Sequence, residues 1–248
     1  MSSRVTLITG AASGLARGIA VALSRSGYRI AFTYRAGGTS PDETRALIEP
    51  NDRGVVAVAA DFSTFDSAAH VVREVERLRG PVEVLIHAVG PIVVKPFARS
   101  TAADYHAMVD GNLGSSVGLA LAVLPGMRER GFGRLVFFGM NGTHVTQPAP
   151  SMSLYGAAKA GVVTFARTLA LEEARSGITT NVIEPGDIRD KNATRAQARE
   201  IAAPNNPTGH AGSWEDIAEA VRFAVADESS FLNGMVLTVN GGLVAAHE

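Results

Sequence analysis

The 248-residue chain has no cysteine, one tryptophan and only 6% aromatic residues. The missing cysteine excludes disulfides and thiolate metal sites. The six histidines are scattered without ligand spacing, so no metal is expected. Charge of one sign is also lacking: the formal net charge is -1, with no basic stripe to attract nucleic acid. No uninterrupted apolar run reaches the length of a membrane span. Met1 to Arg4 lead straight into Val5-Thr-Leu-Ile-Thr9, without the charged, apolar and small-residue regions of a signal peptide. A cytoplasmic protein with no membrane or nucleic-acid partner is expected.

Hydrophobic residues are plentiful, at 46%, enough for one large core. Short apolar, β-branched runs lie near 4–9, 28–34, 54–60, 82–88, 133–138, 178–183 and 235–239. Longer helical patterns fall near 14–26, 41–49, 66–79, 102–130, 153–176 and 214–226. Continuous apolar strands such as Val82-Glu-Val-Leu-Ile-His-Ala88 suit a sheet covered on both faces. Strand–helix alternation along the whole chain predicts right-handed βαβ units. The expectation is an α/β protein: residues 1–248 as a single domain, a doubly wound parallel sheet of about seven strands with helices on both faces. Residues 187–212 break the pattern with charge, Asn, Pro and Gly. They read as a solvated loop with a short helix, or as a lid over the carboxyl ends of the strands. Ligands of open α/β sheets bind at those ends, which favours the lid.

Gly10 and Gly14 flank the first strand-to-helix turn, Thr9-Gly10-Ala11-Ala12-Ser13-Gly14. Glycine there permits a tight turn and close approach of the backbone to a pyrophosphate at a helix N-terminus. The second strand ends in Tyr34-Arg35, where a carboxylate would bind ribose hydroxyls. Arg35 would instead pair with a 2′-phosphate, which favours NADP over NAD. Tyr155 and Lys159 are four residues apart inside a helical pattern and so leave one helix face. An ammonium beside a phenol favours the phenolate and is expected to lower the Tyr155 pKa, fitting it for proton transfer at a carbonyl oxygen or an alcohol.

With these residues in place the chain resembles a short-chain dehydrogenase/reductase over nearly its full length, with the Rossmann fold, and within that family the 3-oxoacyl-acyl-carrier-protein reductases of fatty acid metabolism. The matching residues are Thr9-Gly10…Gly14, Ala60-Asp61, His87-Ala88-Val89-Gly90, Asn112, Tyr155…Lys159, Pro185-Gly186 and the terminal Val239-Asn-Gly-Gly242. The resemblance implies that Thr9, Gly10, Ser13, Gly14 and Leu15 line the pyrophosphate turn. Asp61 and Phe62 would meet the adenine, and Ala88 and Gly90 the cofactor ribose. Asn112 would hold a water in a proton relay. Lys159 would bind the nicotinamide ribose and tune Tyr155, and Pro185, Gly186 and Ile188 would contact the nicotinamide. It also implies a homotetramer in which the helices near 102–130 and 153–176 pair across a two-fold axis.

Three positions depart from the family pattern. Ala16 stands where a glycine is common, which a dinucleotide turn tolerates. His87 replaces an amide and reads as a satisfied core histidine. Met140 stands where a serine hydroxyl normally meets the substrate carbonyl, and a thioether donates no hydrogen bond. Thr143, twelve residues before Tyr155, is expected to supply the hydroxyl, with the Asn141 amide as the other candidate. The resulting expectation is an NADPH-dependent reductase of a ketone or 3-oxoacyl thioester, with Tyr155 as proton donor. The alternatives are an enoyl-thioester or pterin reductase on the same scaffold, or a non-catalytic NADPH-binding oligomer.

Overall fold

The computed structural model describes residues 3–62 and 66–243. Seven strands form one all-parallel sheet: β1 Val5–Ile8, β2 Arg29–Tyr34, β3 Val56–Ala59, β4 Val84–His87, β5 Gly133–Phe138, β6 Ile178–Pro185 and β7 Val236–Val239. Their spatial order is β3-β2-β1-β4-β5-β6-β7. The chain winds outward one way from β1 to β3, then crosses back to β4 and winds the other way. Ligand crevices open at such a reversal, between the carboxyl ends of β1 and β4.

Adjacent strand residues feed opposite faces because side chains alternate across a strand. Leu7, Leu85, Phe137 and Val182 join one core; Ile8, Ile86, Val136 and Ile183 join the other. The first core is closed by helices α3 (Asp66–Arg79), α5 (Ser115–Arg130) and α6 (Ser153–Glu173), the second by α1 (Gly14–Arg25) and α8 (Trp214–Val225). Two short helices complete this outer shell, α2 (Asp42–Ile48) and α4 (Ala102–Met108). Continuously apolar strands are the sequence signature of this double coverage.

One helical stretch bears on the absence of an uninterrupted apolar run. The helical stretch Ala102–Arg130 runs for 29 residues and is apolar enough, by length and composition, to pass for a membrane span. Half of its most apolar window is buried inside the protein, as in a core helix. Its apolar residues are diluted by Gly and Ser, so no uninterrupted run stands out. The stretch is continuous only because α4 and α5 are joined by a π-helical segment, Val109–Gly114. The 187–212 segment holds a five-residue helix, α7 (Arg195–Arg199), started by a capping box in which Thr194 and Gln197 satisfy each other's backbone N–H groups. Arg195 fastens it to α8 through Asp216 at 2.7 Å and Glu219 at 2.9 Å.

Candidate active site

The β1–α1 turn is built from backbone. Gly10 (φ 71°) and Gly14 (φ 61°) both adopt left-handed conformations that favour glycine. The Gly10 N–H donates to Thr33 Oγ1 at 3.0 Å, tying the turn to β2. Ser13 is extended and its hydroxyl makes no capping bond, so the Ser13 side chain satisfies none of the first N–H groups of α1. Beside the turn a cavity of about 550 Å³ is lined by Gly10, Tyr34, Arg35, Asp61, Phe62 and Gly90, among others. Arg35 is exposed at its rim. Phe62 is buried, with its ring edge-on to His87 at 5.8 Å, so it serves the core as well as the cavity wall.

His87 is the core histidine expected from the sequence. Thr9 Oγ1 accepts from the Ala88 and Val89 N–H groups, at 3.0 and 3.2 Å, and donates to His87 Nδ1 at 2.9 Å. Ser115 Oγ lies 2.8 Å from His87 Nε2 and reaches backbone carbonyls of the preceding turn, so Nε2 carries the proton. Burial, with the Lys159 charge second, drives the imidazole pKa down to about 3 and keeps it neutral. The network locks the strand end that carries Ala88 and Gly90.

Asn112 occupies the π-helical segment, a distortion often found at functional sites. The widened turn leaves the Met108 carbonyl to accept from Asn112 Nδ2 at 2.9 Å, and the same nitrogen donates to the Pro91 carbonyl at 3.0 Å. Asn112 Oδ1 is buried with no hydrogen-bond partner. A Cβ added to Gly90 would lie 2.2 Å from Asn112 Oδ1 and 3.4 Å from Lys159 Nζ. Glycine is therefore required there, and it leaves a small cradle where an orphan acceptor and an ammonium converge. A buried, unpaired acceptor is costly unless something fills the place. The cradle, the open helix terminus and the cavity at Arg35 lie along one crevice and fit a dinucleotide. Beyond Pro185, the last residue of β6, Gly186 packs so closely on Asn240 that an added Cβ would lie 2.5 Å from it, and Ile188 lines a separate cavity with Asn206, His210 and Asn240.

Tyr155 and Lys159 share one face of α6, as their spacing predicts. The expected lowering of the tyrosine pKa is not found. Burial raises it instead, because the phenolate loses water. Lys159 Nζ donates to the Phe138 carbonyl at 2.8 Å and lies 5.7 Å from the centre of the Tyr155 ring, so its hydrogen bond goes to backbone and not to the phenol. Burial also lowers the Lys159 pKa from 10.5 to about 8. A depressed lysine pKa means that the charged form is penalised in the fold. The unfolded chain binds more protons between about 8 and 10.5, so this group's contribution to stability rises with pH across that window. Lys159→Met is expected to raise Tm at pH 7 and to do so much less at pH 10, measured by thermal unfolding without cofactor. An equal rise at both values would contradict a penalised ammonium.

The turn after β5 corrects another expectation. Thr143 does not offer a hydroxyl to the site. Its Oγ1 donates to Glu184 Oε1 at 2.6 Å, deep under the turn. Glu184 is completely buried, and its carboxylate also accepts from the N–H groups of Gly142 at 3.1 Å and His144 at 3.0 Å and from His144 Nδ1 at 2.7 Å. Asn141 is likewise occupied: it accepts from Asn240 Nδ2 at 2.6 Å and donates to the Leu243 carbonyl at 3.2 Å. Met140 reaches α6, its Cε 3.6 Å from where a Cβ on Gly156 would sit, one residue from Tyr155. Sequence reasoning missed Glu184. The signal was a lone carboxylate between Ile183 and Pro185 in an otherwise uncharged strand.

A doubly wound sheet with a glycine turn at its topological reversal and a Tyr–Lys pair on the facing helix defines a nicotinamide-dependent oxidoreductase. The chain belongs to the short-chain dehydrogenase/reductase family, and residues 10–244 match the family described as Enoyl-(Acyl carrier protein) reductase. It is 30% identical over 243 residues to the acetoacetyl-CoA reductase of Shinella zoogloeoides, covering 97% of this chain and 98% of that one. It is 29% identical over 248 residues to the 3-oxoacyl-[acyl-carrier-protein] reductase MabA of Mycobacterium tuberculosis, covering 99% and 94%. A solved Bacillus thuringiensis structure described as a 3-oxoacyl-reductase superimposes with a TM-score of 0.90 at 30% identity, covering 99% of this chain and 100% of that one.

Proposed function

We propose that the protein is an NADPH-dependent reductase of the carbonyl of a ketone or 3-oxoacyl thioester. The observation that carries this reading is the convergence of Lys159 Nζ and the unpaired Asn112 Oδ1 on Gly90, beside Tyr155 on α6. The names of the relatives support the 3-oxoacyl thioester as the substrate class. Bound NADPH would supply the hydride to the carbonyl carbon. Tyr155 gives its phenolic proton to the carbonyl oxygen, a task suited to a half-buried phenol that holds its proton at neutral pH. Lys159 holds positive charge beside the tyrosinate that forms and stabilises it, and Asn112 Oδ1 accepts from a water that returns the proton. Met140 packs on apolar parts of the substrate, where a flexible thioether adapts well.

With Thr143 and Asn141 both occupied, neither candidate for the missing serine is free to polarise the carbonyl. That observation favours one further reading, reduction of an enoyl thioester, in which conjugate addition of hydride does without the missing hydroxyl. Turnover of acetoacetyl-CoA against an enoyl-CoA of equal length, with NADPH, separates the two. Turnover of neither, with NADPH still bound, would leave a non-catalytic binder.

Arg35 is the proposed contact for the 2′-phosphate. NADPH is expected to bind more tightly than NADH, and Arg35→Ala to weaken NADPH selectively by about 1.5–3 kcal/mol through loss of a charge-assisted contact. Equal affinity for both cofactors in the unaltered protein would sink this assignment.

A homotetramer is also proposed. Leu121 on α5 and Leu171 on α6 are 57% and 81% exposed, and Phe231 before β7 is fully exposed. Apolar side chains exposed on the two helices assigned to subunit contacts, and on the segment before β7, are best explained by burial between copies. Light scattering at micromolar concentration should give about four times the chain mass, and a monodisperse monomer would refute the assembly.

A further inference from the structure

The diphosphate of a dinucleotide carries two negative charges, and the β1–α1 turn offers it backbone N–H groups but little positive charge of its own. Arg17, the cation nearest the turn in sequence, is already spent. Its Nε donates to the Ala12 carbonyl at 3.2 Å and to Thr44 Oγ1 at 3.1 Å, and its Nη1 pairs with Glu43 at 2.8 Å. A second cation arrives from the far side of the crevice. Lys191, in the 187–212 segment, lays its aliphatic stem across the turn: a Cβ added to Gly14 would lie 3.4 Å from Lys191 Cβ and 3.6 Å from Lys191 Cδ. The ammonium is two bonds beyond that Cδ.

The surrounding residues hold Lys191 there and leave its charge unspent. Ala193 is buried and its N–H donates to the Asp190 carbonyl at 3.2 Å. Arg195 anchors the segment to α8. The nearby carboxylates have other partners: Asp187 pairs with Arg189 at 3.0 Å, Asp190 accepts from the Asn192 N–H at 2.8 Å, Glu215 accepts from the Arg195 N–H, and Asp216 and Glu219 take the Arg195 guanidinium. Among the described residues Lys191 has no ion pair. We propose that Lys191 is the cation that binds the cofactor diphosphate, so that the lid segment closes the glycine turn from above. This rests on the reading of that turn as the NADP(H) site.

Calorimetric titration of the full chain with NADPH, NADH and adenosine 2′-phosphate tests it without reference to turnover. Lys191→Ala should weaken both dinucleotides by a similar factor of about ten, the scale of one lost charge-assisted contact, since both carry the diphosphate. It should leave adenosine 2′-phosphate unaffected, because that probe lacks a 5′-phosphate. Lys191→Arg should keep most of the affinity, and Lys191→Ala should flatten the salt dependence of NADPH binding. Arg35→Ala should show the opposite signature, weakening NADPH and adenosine 2′-phosphate while sparing NADH. Unchanged dinucleotide affinity in Lys191→Ala, or an equal loss for adenosine 2′-phosphate, would overturn the proposal. If the unaltered protein bound neither dinucleotide, the reading of the turn would itself fail, an outcome visible before any variant is made.

Discussion

Tyr155→Phe is expected to lower kcat by about 10²–10⁴-fold, the usual worth of a positioned general acid, while the NADPH dissociation constant stays nearly unchanged. The substitution removes one oxygen. The ring and its place beside the Lys159 ammonium remain, so cofactor affinity has little reason to move. The loss should fall at the upper end of that range because the candidate donors after β5 are engaged elsewhere. The Thr143 hydroxyl is bound to Glu184, both ends of the Asn141 amide are occupied, and Met140 cannot donate. Steady-state rates on the preferred thioester, with cofactor titration alongside, check both halves. A variant that kept most of its rate would remove Tyr155 as the acid.

The second large effect is expected at Glu184. Four donors converge on its buried carboxylate: the Gly142 and His144 N–H groups, the Thr143 hydroxyl and the His144 ring. Glu184→Ala leaves the two N–H groups and the His144 ring without their acceptor, leaves the Thr143 hydroxyl only the Met140 carbonyl at 2.8 Å, and opens a cavity under the turn. Removing one side of a buried charged network typically costs about 3–5 kcal/mol. For a chain of this length each kcal/mol lowers Tm by about 2–4 °C, so a fall of about 6–20 °C is expected. Thr143→Val removes only one donor and should cost about 1 kcal/mol. Turnover should fall in Glu184→Ala more than NADPH affinity does, because the turn it supports carries Met140 beside Tyr155 and not the cofactor crevice. Thermal unfolding of the two variants, compared with the unaltered protein, settles the ranking. A Glu184→Ala protein as stable as Thr143→Val would show that the four bonds are not coupled through the carboxylate.

Much of this molecule was legible in one dimension. Apolar runs bounded by turn residues marked all seven strands, since a strand covered on both faces has no polar side to interrupt it. Gly10 and Gly14 marked the turn because only glycine adopts its backbone cheaply. Tyr155 and Lys159 marked a helix face because a four-residue step returns to the same side. His87 read as a core histidine, and the structure supplies both of its partners, Thr9 and Ser115, from elements 78 and 28 residues away in sequence. The reading failed where an outcome depended on what a polar group meets across the fold. Thr143 was given a free hydroxyl because its distance along the chain from Tyr155 suited one, but the carboxylate that claims it lies 41 residues further on. Tyr155 was given a lowered pKa because an ammonium lay one turn away, but the Phe138 carbonyl takes that ammonium's hydrogen bond and burial then governs the phenol.

The sequence by itself determined the fold class and the positions of the glycine turn and the Tyr–Lys pair, because each follows from periodicity, backbone freedom or spacing along one segment; the family came from the resemblance of several motifs in order along the chain. The tertiary structure alone decided how the polar groups are spent. It set Glu184 beneath the 142–144 turn, left Asn112 Oδ1 unpaired beside Gly90 and laid Lys191 across Gly14. Hydrogen bonds and charges are satisfied by whatever the fold brings within about 3 Å, and residues far apart in the chain become partners only once the sheet has closed.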